Sequence, residues 1–305
     1  MVSIDAATQP RDTAKSSRRG LLLMLLATAA FAGMASFVKL LREDGFSTSE
    51  VMFWRTAPGL IWVWTELRVR KQKLWPNAPG LVVTRSLYGV AAMSFYFYSL
   101  RALTMIEYTV LHLLQPVLVA VLAPAMLAER LRRNALVALV VAVVGALVVL
   151  RPDRAMRADL PLLAVLAGMA AALCSALAHI TVRKATASDS AENVVFWFTV
   201  VVSVCALIAG LAQGEFRGLP AGLALGEASW KIAGLAALGL AGQLLMTRAY
   251  GRASAPLVAI VAYAAIPMAI GIDLLSWSVV PSGSAVVGSL LMIGAGVLLV
   301  RGREV

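Results

Sequence analysis

The chain has 305 residues, 60% of them hydrophobic and only 14% charged, with a mean hydropathy of +0.84. A soluble domain carries about 25% charged residues, so this composition excludes an ordinary water-soluble enzyme or nucleic-acid-binding domain and points to a bilayer. The formal net charge of +11 reports membrane orientation, not a nucleic-acid partner, because its cations concentrate in every second loop.

A helix needs roughly 20 apolar residues to cross about 30 Å of hydrocarbon, and it satisfies its own backbone there. Apolar runs predict spans near 20–41, 47–66, 78–100, 106–127, 134–150, 160–182, 193–212, 229–247, 255–277 and 284–300. The expected fold is therefore an all-α integral membrane protein with ten transmembrane helices, short loops and no soluble domain. The basic start and the small residues near 30–36 resemble a signal peptide. The apolar run, however, continues to Val38 and nine more follow, so it reads as an uncleaved first span. The N-terminal stretch and alternate loops hold more than twice the Lys and Arg of the other loops, among them Arg18, Arg70, Lys71, Arg130, Arg132, Lys184 and Arg303. By the positive-inside rule both termini are cytoplasmic, as an even number of spans requires. Cys174 and Cys205 lie within spans in no metal or redox spacing and read as packing residues.

Polar residues inside the spans are the candidates for function. Lys39, near the end of span 1, and Arg55, about two turns into span 2 beside Trp54, either snorkel and pair structurally or draw an anionic group to the outer mouth. In span 3, Tyr88 with Tyr96 is the candidate inward stripe. In span 4, Tyr108, His112 and Gln115 share one helix face. That face either carries an interhelical hydrogen bond or lines a wet cavity, and Pro116 beside it removes a backbone hydrogen bond and bends the helix. His179 in span 6 divides between the same two readings, while Gly168, Ala171 and Ala172 read as close packing. Among the acidic residues only Asp273 lies well inside a span, so there is neither an acid pair for hydrolysis nor a carboxylate relay. No P-loop, zinc motif or nucleophile elbow occurs, and the chain reads as a non-enzyme without a cofactor or metal.

The two halves echo one another. Phe53-Trp54-Arg55-Thr56 matches Phe196-Trp197-Phe198-Thr199, and Arg101-Ala102 matches Arg252-Ala253. The same spacing lays Pro116 on Pro267 and His112 on Tyr263, and Arg151 pairs with Arg301. Each copy holds five spans, and an odd number makes the second copy enter the membrane upside down, an arrangement that recurs in secondary transporters. The expected divisions are a tail at 1–19, a first five-helix repeat at 20–151, an inverted second repeat at 152–301 and a tail at 302–305.

With these motifs the chain resembles the drug/metabolite transporter superfamily, specifically the EamA-type ten-helix exporters. The resemblance rests on Ser99-Leu100-Arg101-Ala102-Leu103, the His112–Pro116 segment, Ala128-Glu129-Arg130-Leu131, the Gly145-containing span and Phe53-Trp54-Arg55. The second copy has Val280-Pro281-Ser282 in place of Glu-Arg-Leu, and Phe198 in place of the arginine. The resemblance implies an inner-membrane secondary transporter that exports amino acids, aromatic or other apolar ones among them, or related metabolites by alternating access. Nucleobases are the alternative cargo, and a membrane enzyme or passive pore is the rival class. Trp54, Trp197, Tyr96 and Tyr263 would supply flat apolar surfaces and His112 and Gln115 polar contacts. The partners are then a small molecule and the lipid bilayer. Nothing in the sequence sets oligomeric state, and a monomer suffices.

Overall fold

The computed structural model describes residues 9–129, 133–151, 153, 159–216, 225–278 and 280–301. Among these there is no strand; the elements are α1 (Gln9–Glu43), α2 (Thr48–Val69), α3 (Pro79–Ser99), α4 (Met105–His112), α5 (Leu114–Leu127), α6 (Arg133–Leu150), α7 (Leu162–Ala185), α8 (Ala191–Ala212), α9 (Leu225–Tyr250), α10 (Ala255–Val261), a 3₁₀ turn (Ala262–Ala264), α11 (Ala265–Trp277) and α12 (Gly283–Arg301). Each apolar run contains helix. Helix α1 starts at Gln9, well before the apolar run, because hydropathy marks where hydrocarbon begins and not where the backbone coils. The loop residues Arg130, Leu131 and Arg132 and the tail residue Arg303 lie outside the described residues.

Seven helical segments are long and apolar enough to cross a membrane among the described residues, and Gly283–Leu299 forms a shorter apolar one. The long helices α2 and α3 are not among the seven, and they carry the buried cation Arg85 and the half-buried Arg55. Leucines and valines on the outer faces, such as Leu22, Ile61, Val121, Leu163 and Leu290, are exposed, as a lipid-facing surface requires.

Local sequence sets the ends. Ser47 and Glu50 form a reciprocal cap on α2, and Thr104 and Glu107 do the same on α4. The segment from Met105 to Leu127 breaks at Leu113, three residues before Pro116. The segment from Ala255 to Trp277 breaks at the 3₁₀ turn 262–264, three residues before Pro267. The proline nitrogen has no hydrogen to give, so the carbonyl four residues back loses its partner at both places. The same two segments end alike: Ala128 (φ +56°) and Ser278 (φ +55°) are left-handed, with N–H groups returning to Ala123 and Asp273.

Packing follows one pattern. Helix α1 lies along α9 and α3 along α7, while α2 pairs with α8, α6 with α12 and α5 with α10. At the α6–α12 crossing two glycines meet: a Cβ on Gly145 would lie 2.7 Å from the Gly288 carbonyl oxygen, and one on Gly288 would strike the Gly145 carbonyl. Small residues let backbones approach this closely in a membrane. Replacing Gly145 with Leu should therefore pry the helices apart and cost about 1–3 kcal/mol, read as a lower thermal midpoint in nanodiscs.

Candidate substrate cavity

A cavity of about 850 Å³ opens where α1 and α3 end and α2 begins, bounded by Met34, Arg42, Met52, Arg55, Tyr96 and Cys205 among others. Its wall comes from α1, α2, α3 and α8, and at its mouth lie Ser49, Arg101, Gln213 and Glu215. Small-molecule sites usually fall in the range of about 300–1,000 Å³. Nearby, Lys231 is held by Asp44 at 2.7 Å and Glu227 at 2.8 Å, and the Ser49 N–H donates to Glu215 at 3.3 Å.

The opposite end, where a separate cleft of about 670 Å³ lies among Arg70, Asp189, Glu192 and Arg248, is tied together by bonds most of which cross between the first and second halves. The Asn77 and Ala78 backbone N–H groups donate to Asp189 at 2.6 and 3.0 Å, and Asn193 donates to the carbonyls of Lys73 and Leu74. Ser190 caps α8 while donating to Gln72 at 2.8 Å. Arg248 is paired with Glu192. Glu129 accepts from Arg183 Nε at 2.8 Å and from the Ala255 N–H, the first of α10, at 2.7 Å; Arg183 in turn donates to the Tyr250 carbonyl.

Between mouth and closed end lies a layer of polar side chains. Tyr96, on the cavity wall, has its ring 4.5 Å from that of Tyr108, whose hydroxyl is 3.1 Å from His112 Nδ1. Deeper in, Gln115 Nε2 donates to His179 Nδ1 at 2.8 Å and the Tyr250 hydroxyl reaches the same nitrogen at 3.0 Å. Since an amide N–H can only donate, Nδ1 accepts and the ring proton sits on Nε2. Tyr263 donates to the carbonyl of Leu113 at 2.6 Å, which ties the 3₁₀ turn of the second half to the break in the first.

The residues singled out from sequence thus separate. Tyr96 and Arg55 line the cavity. His112, Gln115, Tyr108, His179 and Tyr263 belong to the bonded layer, and none of them is on the cavity wall, contrary to the expectation that His112 and Gln115 face it. In this conformation they join α5 to α7, α9 and the α10–α11 break. Trp54 packs among Leu41, Phe46 and Leu235. Trp197 sits at the closed end, donating to the Leu74 carbonyl and stacked edge-on against Trp75 at 5.4 Å. Tyr88 is half-buried away from the cavity wall, and Lys39 is exposed near the end of α1. Pro116 is buried and Pro267 half-buried.

Two residues had been passed over. Arg85, in the middle of the apolar run of α3, is 3% exposed and stacks 3.5 Å from the centroid of Phe198. A lone arginine in such a run was itself the signal. Glu129 was legible as a motif but not as the closure of the far side. No group of His, Cys, Asp or Glu among the described residues has the arrangement to hold a metal ion.

Cys205 on the cavity wall supplies a test. A membrane-impermeant thiosulfonate should label Cys205 and spare Cys174, which lies mid-helix in α7 away from the cavity, as peptide mass spectrometry would show.

Residues 18–151 match the EamA-like transporter family. A pseudopaline exporter of Pseudomonas aeruginosa (strain UCBPP-PA14) is 28% identical to this chain over 94% of its length and 98% of the exporter's own. An uncharacterized transporter of Helicobacter pylori (strain J99) is 26% identical over 80% and 82% of the two chains. A solved crystal structure superimposes with a TM-score of 0.76 and 18% identity, covering 93% of this chain and 97% of that one, which shows the fold. Seven described helices long and apolar enough to cross a membrane make it a multi-pass membrane protein.

Proposed function

We propose that this protein is an EamA-like transporter that resides in the inner membrane with both termini cytoplasmic, and exports amino acids or related small metabolites by alternating access. Its working parts are two inverted five-helix halves, 20–151 and 152–301, making ten spans in all. The observation that carries this reading is the asymmetry of the cavity: about 850 Å³ open at one end, with the other end closed by Glu129–Arg183, Glu192–Arg248 and the 72–78 to 189–193 bonds. Breaks before Pro116 and Pro267, left-handed ends at Ala128 and Ser278, and the reciprocal pairing of α1 with α9 and α3 with α7 support inversion. Two related halves facing opposite ways can exchange conformations, and the site between them then opens to the other side. Tyr96 and Arg55 meet substrate first, and the layer from Tyr108 to His179 rearranges as the closed end opens. Pro116 and Pro267 set the bends about which it does so.

The relative that exports pseudopaline makes that metabolite the specific second candidate cargo. The test is counterflow in proteoliposomes: vesicles preloaded with an unlabelled amino acid should accumulate its labelled form transiently, and preloaded pseudopaline should do the same if it is the cargo. If a panel of amino acids, nucleobases and pseudopaline gives no exchange above empty vesicles, the carrier reading fails.

A further inference from the structure

The geometry points to a carboxylate-binding subsite at the base of the cavity, formed by Arg55 and Arg85 near Phe198, and so to substrates that carry a free carboxylate. This deepens the transport reading above and rests on it. Arg55 lines both the main cavity and a small closed space beneath it, whose other walls include Thr56, Phe198, Thr199 and Gln243. Arg85 lies over the ring of that same Phe198, its guanidinium carbon 3.5 Å from the centroid. Phe198 thus connects the two cations: it carries Arg85 on its face and shares the small space with Arg55.

Neither has a counter-charge. No Asp or Glu side chain forms an ion pair with Arg55 or Arg85 among the described residues, whereas Arg70, Arg183, Lys231 and Arg248 are each paired. Arg85 is 3% exposed and its Nε has no hydrogen-bond partner; Gln243, 7% exposed, has an unpartnered Nε2 beside the same small space. An arginine cannot shed its proton to escape burial, and an unpaired cation inside a membrane protein is costly. Stacking on Phe198 offsets part of that cost but leaves the buried Nε–H of Arg85 without an acceptor. Unmet donors beside a cavity select a ligand of the complementary kind, and the planar guanidinium fork matches a carboxylate. Space for the pair is built in: a Cβ on Gly89 would come within 2.9 Å of both Arg85 Nη1 and the Phe198 ring.

The correspondence between the halves accounts for the site's asymmetry. Phe198 occupies the position in the second half that Arg55 occupies in the first. The second half thus offers a ring where the first offers a charge, and Arg85 reaches across from α3 to use it.

The test uses the full chain in nanodiscs and three acid–amide pairs as probes: L-phenylalanine with L-phenylalaninamide, L-leucine with L-leucinamide, and benzoate with benzamide. Thermal midpoints titrated against each probe give apparent affinities. For at least one pair the acid should bind about tenfold to a hundredfold tighter than the amide, and Arg85→Gln should abolish that preference while Arg85→Lys keeps part of it. Arg55→Gln, a change at a half-buried wall position, provides the same test should the buried Arg85 substitution not fold. Equal binding of acid and amide in every pair, no binding of any acid, or an undiminished acid preference in either folded glutamine variant overturns the subsite. Counterflow of the same labelled probes separates this from the transport reading. Exchange of amides without acid preference would leave a carrier and remove the subsite, and acid binding with no exchange of any probe would do the reverse.

Discussion

Replacing Glu129 with Ala should open the closed end and slow labelling of Cys205 from the cavity. Glu129 is a single carboxylate with three dependants: Arg183 at 2.8 Å, the Ala255 N–H at 2.7 Å and, through Arg183, the Tyr250 carbonyl. Its loss uncaps α10 and leaves the Arg183 guanidinium, side chain 30% exposed, without its partner. At about 1–3 kcal/mol the bias between the two openings moves by roughly 5- to 150-fold. The state with the 850 Å³ mouth loses population, so the thiosulfonate reaches Cys205 less often. Glu129→Gln keeps an acceptor for the Ala255 N–H and should shift labelling less. Labelling of Cys205 as fast in Glu129→Ala as in the unaltered protein would show that this pair does not hold the end shut.

His179→Leu should be the most damaging change in the polar layer. It strands two buried groups together, Gln115 Nε2 and the Tyr250 hydroxyl, which both rely on His179 Nδ1. Each buried group left without a partner costs about 1–3 kcal/mol, and the crossing of α5, α7 and α9 loses both hydrogen bonds that meet at His179. His112→Leu strands only the Tyr108 hydroxyl at 3.1 Å, next to a cavity wall where water can replace the partner, and should cost less than half as much. Thermal midpoints in nanodiscs give the order, and counterflow should fall more than tenfold for His179→Leu. Equal midpoints for the two variants would contradict the bonding seen around His179.

How far the sequence carried these results differs from fold to site. The helices were readable because the bilayer writes a long, uniform signal: some 20 apolar residues per crossing. The breaks in the fourth and ninth runs were readable from Pro116 and Pro267, since a proline's missing N–H acts locally. Site membership was not local. His112 and Gln115 share a face of one helix, but which neighbour that face meets depends on packing between halves, and the structure gives it to α7 and α9 and not to the cavity. Trp197 looked like an aromatic surface for substrate, yet its N–H is taken by the carbonyl of Leu74, more than a hundred residues away in the chain. Arg85 is a lone cation in a run of Leu, Val and Tyr that by length still reads as a span. The same charge drops α3 from the set of clearly apolar helices.

The central claim is that two five-helix units of opposite orientation share one cavity, and the positions of the chain ends test it most directly. Reporters fused in turn to the N-terminus and the C-terminus, assayed in whole cells and after permeabilisation, should both be protected outside and both become accessible inside. A reporter exposed outside at one end and inside at the other would require an odd number of crossings, which two five-helix halves cannot supply.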